Sequence, residues 1–89
     1  MRWRIEFRPS ARAELSALDR PVQVRILRSL ERLAEDPRRA PNVKALKGAL
    51  KGDVTYRLRV GDWRVIYALQ DEVMVVLVVR VAHRREAYR

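Results

Sequence analysis

The sequence predicts a single α+β domain over residues 1–89, in the order strand, helix, helix, strand, strand, strand, with a twisted, mainly antiparallel four-stranded sheet carrying a helical hairpin on one face. Three observations lead there. Apolar and charged residues alternate with period two at the start of the chain and again after residue 53; apolar residues recur at helical spacing in between; and a valine-rich run lies near the end. Length agrees, because 89 residues make one domain and a chain of that size buries only about 60–65% of its unfolded surface.

The opening Trp3-Arg4-Ile5-Glu6-Phe7 reads as a strand with one buried face, ended by Pro9. Ser10 is placed to cap a short helix in which Ala11, Leu15 and Leu18 line one stripe. Pro21 suits the first turn of a second helix, where a missing N–H has no intrahelical partner to lose. That helix is expected to run to about Asp36. Val22, Ile26, Leu30 and Leu33 form its apolar stripe, while Arg25, Arg28, Glu31, Arg32 and Glu35 read as a solvated face with internal ion pairs. Residues 37–53 contain Pro37, Pro41, Gly48, Gly52 and all three lysines, and read as a basic loop. Residues 54–60 alternate, with Val54, Tyr56, Leu58 and Val60 on one face and Thr55, Arg57 and Arg59 on the other. Gly61-Asp62 fits a two-residue hairpin turn, and residues 63–69 return as the partner strand. Asp71-Glu72 turns the chain into residues 73–82, apolar almost throughout, as expected for a strand in the middle of a sheet.

Composition narrows the function classes. Apolar residues at 48% exclude disorder over most of the length. Zero cysteines and one histidine exclude disulfides, thiolate chemistry and a protein-built zinc centre, so no metal and no cofactor is expected. The longest apolar run, residues 73–79, is far short of the roughly 20 residues needed to cross a bilayer. A soluble, cytoplasmic protein without a membrane partner is therefore expected. The net charge of +9 is large for the size and predicts attraction to polyanions, nucleic acid first. Seventeen of the 20 basic residues are arginine. GC-rich coding alone raises arginine content, so placement carries more information than abundance.

With Gly61-Asp62 as the turn, Arg59 lies opposite Arg64 and Arg57 opposite Ile66, so three arginines share one face. Like charges directly across a sheet are destabilising, which favours an anion outside. An odd-length loop would send Arg64 to the other face. The plainer reading is a solvated face. Against it, this face borders a strand that is apolar on both sides, and the tail brings His83, Arg84, Arg85 and Tyr88 to that strand's end. The sequence leaves open which of Arg84 and Arg85 points to the shared face.

Four fragments, in this order, resemble the RelE/ParE superfamily of toxins from bacterial and archaeal toxin–antitoxin pairs. They are Ile5-Glu6-Phe7 before a short helix, Val43-Lys44-Ala45-Leu46-Lys47-Gly48, Tyr56 to Tyr67 across the hairpin, and the ending Arg80 to Tyr88. The resemblance covers nearly the whole chain and points to the RelE-like branch. It implies a ribosome-dependent endoribonuclease that cuts mRNA in the ribosomal A site through the 2′-hydroxyl. It further implies a cognate antitoxin that is acidic, partly disordered and wrapped around the toxin, with the complex binding operator DNA through that antitoxin. Basic and aromatic residues of RelE toxins match Arg57, Arg59, Arg64, Arg84 and Tyr88 here, with arginine at the first two positions where lysine is common.

That departure bears on chemistry. Arginine does not give up its proton and cannot serve as a base, but its planar fork suits phosphate clamping and stabilisation of a dianionic phosphorane. On this reading Arg59 and Arg64 hold the scissile phosphate, and Arg84 stabilises the leaving oxygen or acts as acid. His83, the one side chain of a type that titrates near neutrality, moves a proton. Tyr88 stacks on an unpaired base. Lys44, Lys47, Lys51, Arg57 and Arg85 make RNA backbone contacts, which position a protein without reading sequence. A single histidine at a strand end, or a tyrosine over a sheet edge, can equally be structural. The competing class is a ParE-like protein that inhibits DNA gyrase by binding alone; a third is a member that binds only antitoxin and operator.

Overall fold

The computed structural model describes residues 2–50 and 53–86. Its elements are β1 (Arg4–Phe7), α1 (Pro9–Ser16), α2 (Arg20–Leu33), β2 (Val43–Leu50), β3 (Asp53–Val60), β4 (Trp63–Gln70), a single 3-10 turn (Asp71–Val73) and β5 (Val75–His83). The sheet has five strands in the order β1-β5-β4-β3-β2. All neighbours are antiparallel except β1 and β5, which run parallel with Ile5 beside Val76 and Phe7 beside Val78.

The α+β class holds, but the sheet gains one strand over the four expected. Residues 43–50, read as loop, form β2 and pair with β3 from Val43 beside Leu58 to Leu50 beside Asp53. The register shifts between Leu46 and Leu50, and Gly48 lies inside that irregular stretch. A glycine and a shifted register hide strand periodicity, as they often do on an edge.

Several boundaries also move. Ser10 is not the cap of α1: the helix starts at Pro9, Arg8 stands before it in extended conformation, and no side chain caps the end. Pro9 presets the helical φ, and the N–H it lacks would have no intrahelical partner at the first helical position. Helix α2 ends at Leu33 rather than near Asp36, with Ala34 at its C-cap. Strand β5 starts at Val75, since Met74 takes a left-handed φ of 53° that interrupts the run.

The core lies between the helices and one sheet face. Ala11 and Leu15 of α1 and Ile26, Leu30 and Leu33 of α2 pack with Leu58, Val65, Tyr67, Val76 and Val78. Burial of each large side chain contributes roughly 1.5–3 kcal/mol. On β3 the alternation fails near its start, where Val54 is 59% exposed and Thr55 is fully buried. The connection from α2 to β2 is fastened to the far end of the sheet. Tyr67 donates from its buried hydroxyl to the Pro37 carbonyl, and Arg38 donates to both Asp71 carboxylate oxygens at 2.8 and 2.7 Å. Burial raises the Tyr67 phenol above its ordinary range, and the Arg38 hydrogen bond holds the Asp71 carboxyl below its own. Among the described residues no helix is long and apolar enough to cross a membrane.

Candidate nucleic-acid interface

The face of the sheet away from the helices is organised by the β3–β4 hairpin. Gly61 adopts φ 59°, a conformation cheap only for glycine, and closes a two-residue turn. The turn sets the register: Val60 beside Trp63, Arg59 beside Arg64, Arg57 beside Ile66. Side chains alternate along a strand, so Arg57, Arg59 and Arg64 emerge on the helix-free face, as the hairpin pattern predicts. Two rungs follow. One runs Lys44, Arg57, Ile66, Arg80 across β2 to β5; the next runs Arg59, Arg64, Ala82. Ile66 and Ala82 are buried, giving the cations a dry floor.

The guanidinium groups at the hairpin end are satisfied mostly by neutral acceptors. Arg64 Nη1 donates to the carbonyls of Gly61 at 2.9 Å and Trp63 at 3.0 Å. Arg59 Nη2 donates to Asn42 Oδ1 at 3.3 Å, which draws its tip toward the sheet edge above the start of β2. Arg84, just past β5, is tied to the same turn by its backbone N–H to the Asp62 carbonyl at 2.8 Å. Its Nη1 lies 3.7 Å from Asp62 Oδ1, an exposed pair that neutralises little. Arg84 is thus the member of the Arg84/Arg85 pair held against the hairpin. Arg85 is exposed, with its backbone N–H directed at His83 Nδ1, 3.4 Å away.

His83 is placed elsewhere. It pairs with Trp63 in the ladder, one step out of phase with Arg64 and Ala82, and its ring meets the Trp63 indole edge-on at 5.5 Å. The register therefore puts the imidazole on the side opposite the arginines. Lys44 shares the charged face with Arg57. Lys51 and Tyr88 lie outside the described residues, as does the side chain of Lys47.

Two arginines were missed in the sequence. Arg80 stands on the charged face beside Ile66, with Nε 3.8 Å from Glu14 Oε2. The same glutamate accepts the Val81 N–H at 2.8 Å, where β1 no longer flanks β5. A lone charge inside the valine run was the available signal, but the irregularity between Ile66 and Tyr67 against β5 concealed its side. Arg25 of α2 reaches over the turn from the other face, its Nη2 3.1 Å from where a Gly61 Cβ would stand.

Comparison with known proteins bears on the family and the fold. The family model of the ParE toxin of type II toxin–antitoxin systems matches residues 5–88. An Escherichia coli protein described as a RelE-like toxin is 30% identical over 87 residues, 98% of this chain and 88% of that one. The archaeal RelE–RelB complex from Pyrococcus horikoshii is similar at TM-score 0.79 and 28% identity, covering 98% of this chain and all of that one. The RelBE2 toxin–antitoxin complex from Mycobacterium tuberculosis is similar at TM-score 0.80 and 28% identity, over 94% of this chain and 100% of that one. The E. coli RelBE complex gives TM-score 0.72 at 28% identity, over 91% and 95%. With an arginine-bearing hairpin on this fold and a family model spanning nearly its whole length, the chain belongs to the RelE/ParE superfamily of type II toxin–antitoxin toxins, on the RelE-like branch.

Proposed function

We propose that the chain is a ribosome-dependent endoribonuclease that cuts translated mRNA and is silenced by a cognate antitoxin. The observation that carries this reading is the Arg59/Arg64 rung, two arginines opposed across a ladder whose guanidinium groups, among the described residues, bond amide and carbonyl oxygens. Such a pair is repulsive until an anion arrives. Arg59 and Arg64 grip the scissile phosphate, each fork matching two oxygens. Arg84, tethered beside them by Asp62, stabilises charge on the departing 5′-oxygen as the 2′-oxygen attacks: the O2′–P bond forms, the P–O5′ bond breaks, the 2′-hydroxyl proton ends on the 5′-oxygen by way of water, and a 2′,3′-cyclic phosphate is left. Lys44, Arg57 and Arg85 carry flanking phosphates, and Tyr88 orients a base. Free RNA is a poor substrate, because alignment of the 2′-oxygen with the phosphate is left to the ribosome.

For His83 to move a proton at this phosphate, its ring must leave Trp63 and turn to the Arg64 side. His83→Ala separates the roles: cleavage kept in that variant assigns the imidazole to packing. The neighbouring toxin–antitoxin complexes and the +9 charge support an acidic antitoxin as partner.

Expression without the antitoxin, with mapping of transcript ends, tests the proposal. Cuts confined to translated frames, lost in Arg64→Ala and Arg84→Ala, are expected. The match to the ParE model favours gyrase inhibition as the second reading. Stalled replication and DNA breaks with intact transcripts would establish it instead.

A further inference from the structure

The arginines read from the sequence as a solvated face of α2 line a cleft. Arg25, Arg28 and Arg32, with Ser29 between them, face Asn42 and Arg59 across an open space of about 360 Å³ that reaches Gly61. Residues three, four and seven apart stand on one side of a helix, so the three α2 guanidinium groups span about 10 Å along its axis. No ion pair joins Arg25, Arg28, Arg32 or Arg59 to a carboxylate among the described residues. Arg28 and Arg32 also line the adjacent groove with Glu31 and Glu35, where Arg2 Nε lies 3.9 Å from Glu35.

We propose that this cleft is a second RNA-backbone site, joined around the hairpin turn to the charged sheet face, so that one nucleic-acid strand contacts both. The proposal rests on the RNA-cutting reading above and extends its substrate path. Continuity is supplied by the turn itself, with Arg25 against Gly61 from the helix side and Arg64 bonded to the Gly61 carbonyl. Arg59 lines the cleft and belongs to the charged rung, bridging the two. The chemistry favours phosphate over an acidic peptide. Guanidinium forks, one hydroxyl and one carboxamide suit phosphate oxygens. The apolar side chains that could anchor a protein segment, Leu33, Ala40, Pro41 and Leu58, line an adjoining space of only about 100 Å³, and Val60 is the one apolar side chain lining the cleft itself.

The test is fluorescence anisotropy of a 5′-fluorescein 2′-O-methyl dodecanucleotide, which cannot be cut, titrated with salt against wild type and Arg25→Gln/Arg28→Gln/Arg32→Gln. All three positions are exposed, so the triple variant is expected to fold, which circular dichroism verifies. Each lost phosphate contact removes about 0.7 from the slope of log affinity against log salt, so a drop of about 2 is expected. An unchanged slope overturns the cleft. A slope kept while binding of a dodecaglutamate peptide is lost also overturns it, assigning the cleft to an acidic protein segment. If the slope drops but wild type makes no cuts in translated transcripts, the cleft stands and the nuclease reading fails. If cuts occur and the slope holds, the reverse is true.

Discussion

The repulsion held in the Arg59/Arg64 rung is measurable without any substrate. Directly opposed residues in an antiparallel pair have Cβ atoms about 4.5–5.5 Å apart, and a like-charged pair there is destabilising by roughly 0.2–1 kcal/mol. Single variants would mix that repulsion with other losses: Arg59 bonds Asn42, and Arg64 bonds two carbonyls. The cycle of Arg59→Thr, Arg64→Thr and the double variant cancels those losses and leaves the pair term. Each single substitution removes the repulsion, and the double removes it only once. The double variant should therefore gain less stability than the sum of the singles, by about 0.2–1 kcal/mol. Urea is the denaturant to use, since guanidinium is itself a salt. At a slope near 1 kcal/mol/M the discrepancy is about 0.2–1 M in midpoint. It should be largest in 10 mM salt, where the screening length is about 30 Å, and vanish in 1 M salt, where it is about 3 Å. A zero or attractive coupling at low salt, or one indifferent to salt, would refute the claim that these cations are stored against each other.

Two further substitutions test the scaffold that aims the site. Tyr67→Phe leaves the buried Pro37 carbonyl without its donor and should cost about 1–3 kcal/mol in urea unfolding at neutral pH. Because the folded-state phenol is raised, wild type should lose stability as pH climbs above about 10, where only the unfolded chain ionises, and the phenylalanine variant should lose less over that window. Gly61→Ala forces a side chain into φ 59° at about 1–2 kcal/mol, and its Cβ displaces the Arg25 guanidinium 3.1 Å away. A lowered urea midpoint together with weakened oligonucleotide binding is expected, and an unchanged midpoint would show that the turn relaxes freely.

Legibility in the sequence followed how local each signal is. The β3–β4 register was readable because its turn and pairing lie within fourteen positions, although the expected alternation broke at Val54 and Thr55. Both helices were readable from apolar spacing and from Pro21, although the real start of α1 at Pro9 shows proline geometry outweighing a nearby serine. Strand β2 was not readable. It has one neighbour, carries lysines and a glycine, and pairs with a shifted register, so nothing in its pattern enforces one buried face. The side taken by Arg80 and His83 depended on the irregular β4–β5 register, which no local pattern announces. Arg25 was harder still, since its approach to Gly61 crosses 36 positions of chain and is set by how α2 lies on the sheet.

Codon bias can set how many arginines a chain has, but it does not choose where the backbone delivers them. Here Arg2, Arg4, Arg38 and Arg80 each meet a carboxylate. At the hairpin end, by contrast, arginines from four separate segments converge: Arg25 from α2, Arg59 from β3, Arg64 from β4 and Arg84 beyond β5. Among the described residues, the one carboxylate in contact with any of them is Asp62, 3.7 Å from Arg84 and exposed. A surface shaped for stability alone would interleave charges there, as it does around Arg38 and Asp71. Four separate segments bringing like charge to one two-residue turn is an arrangement whose repulsion a phosphate chain relieves.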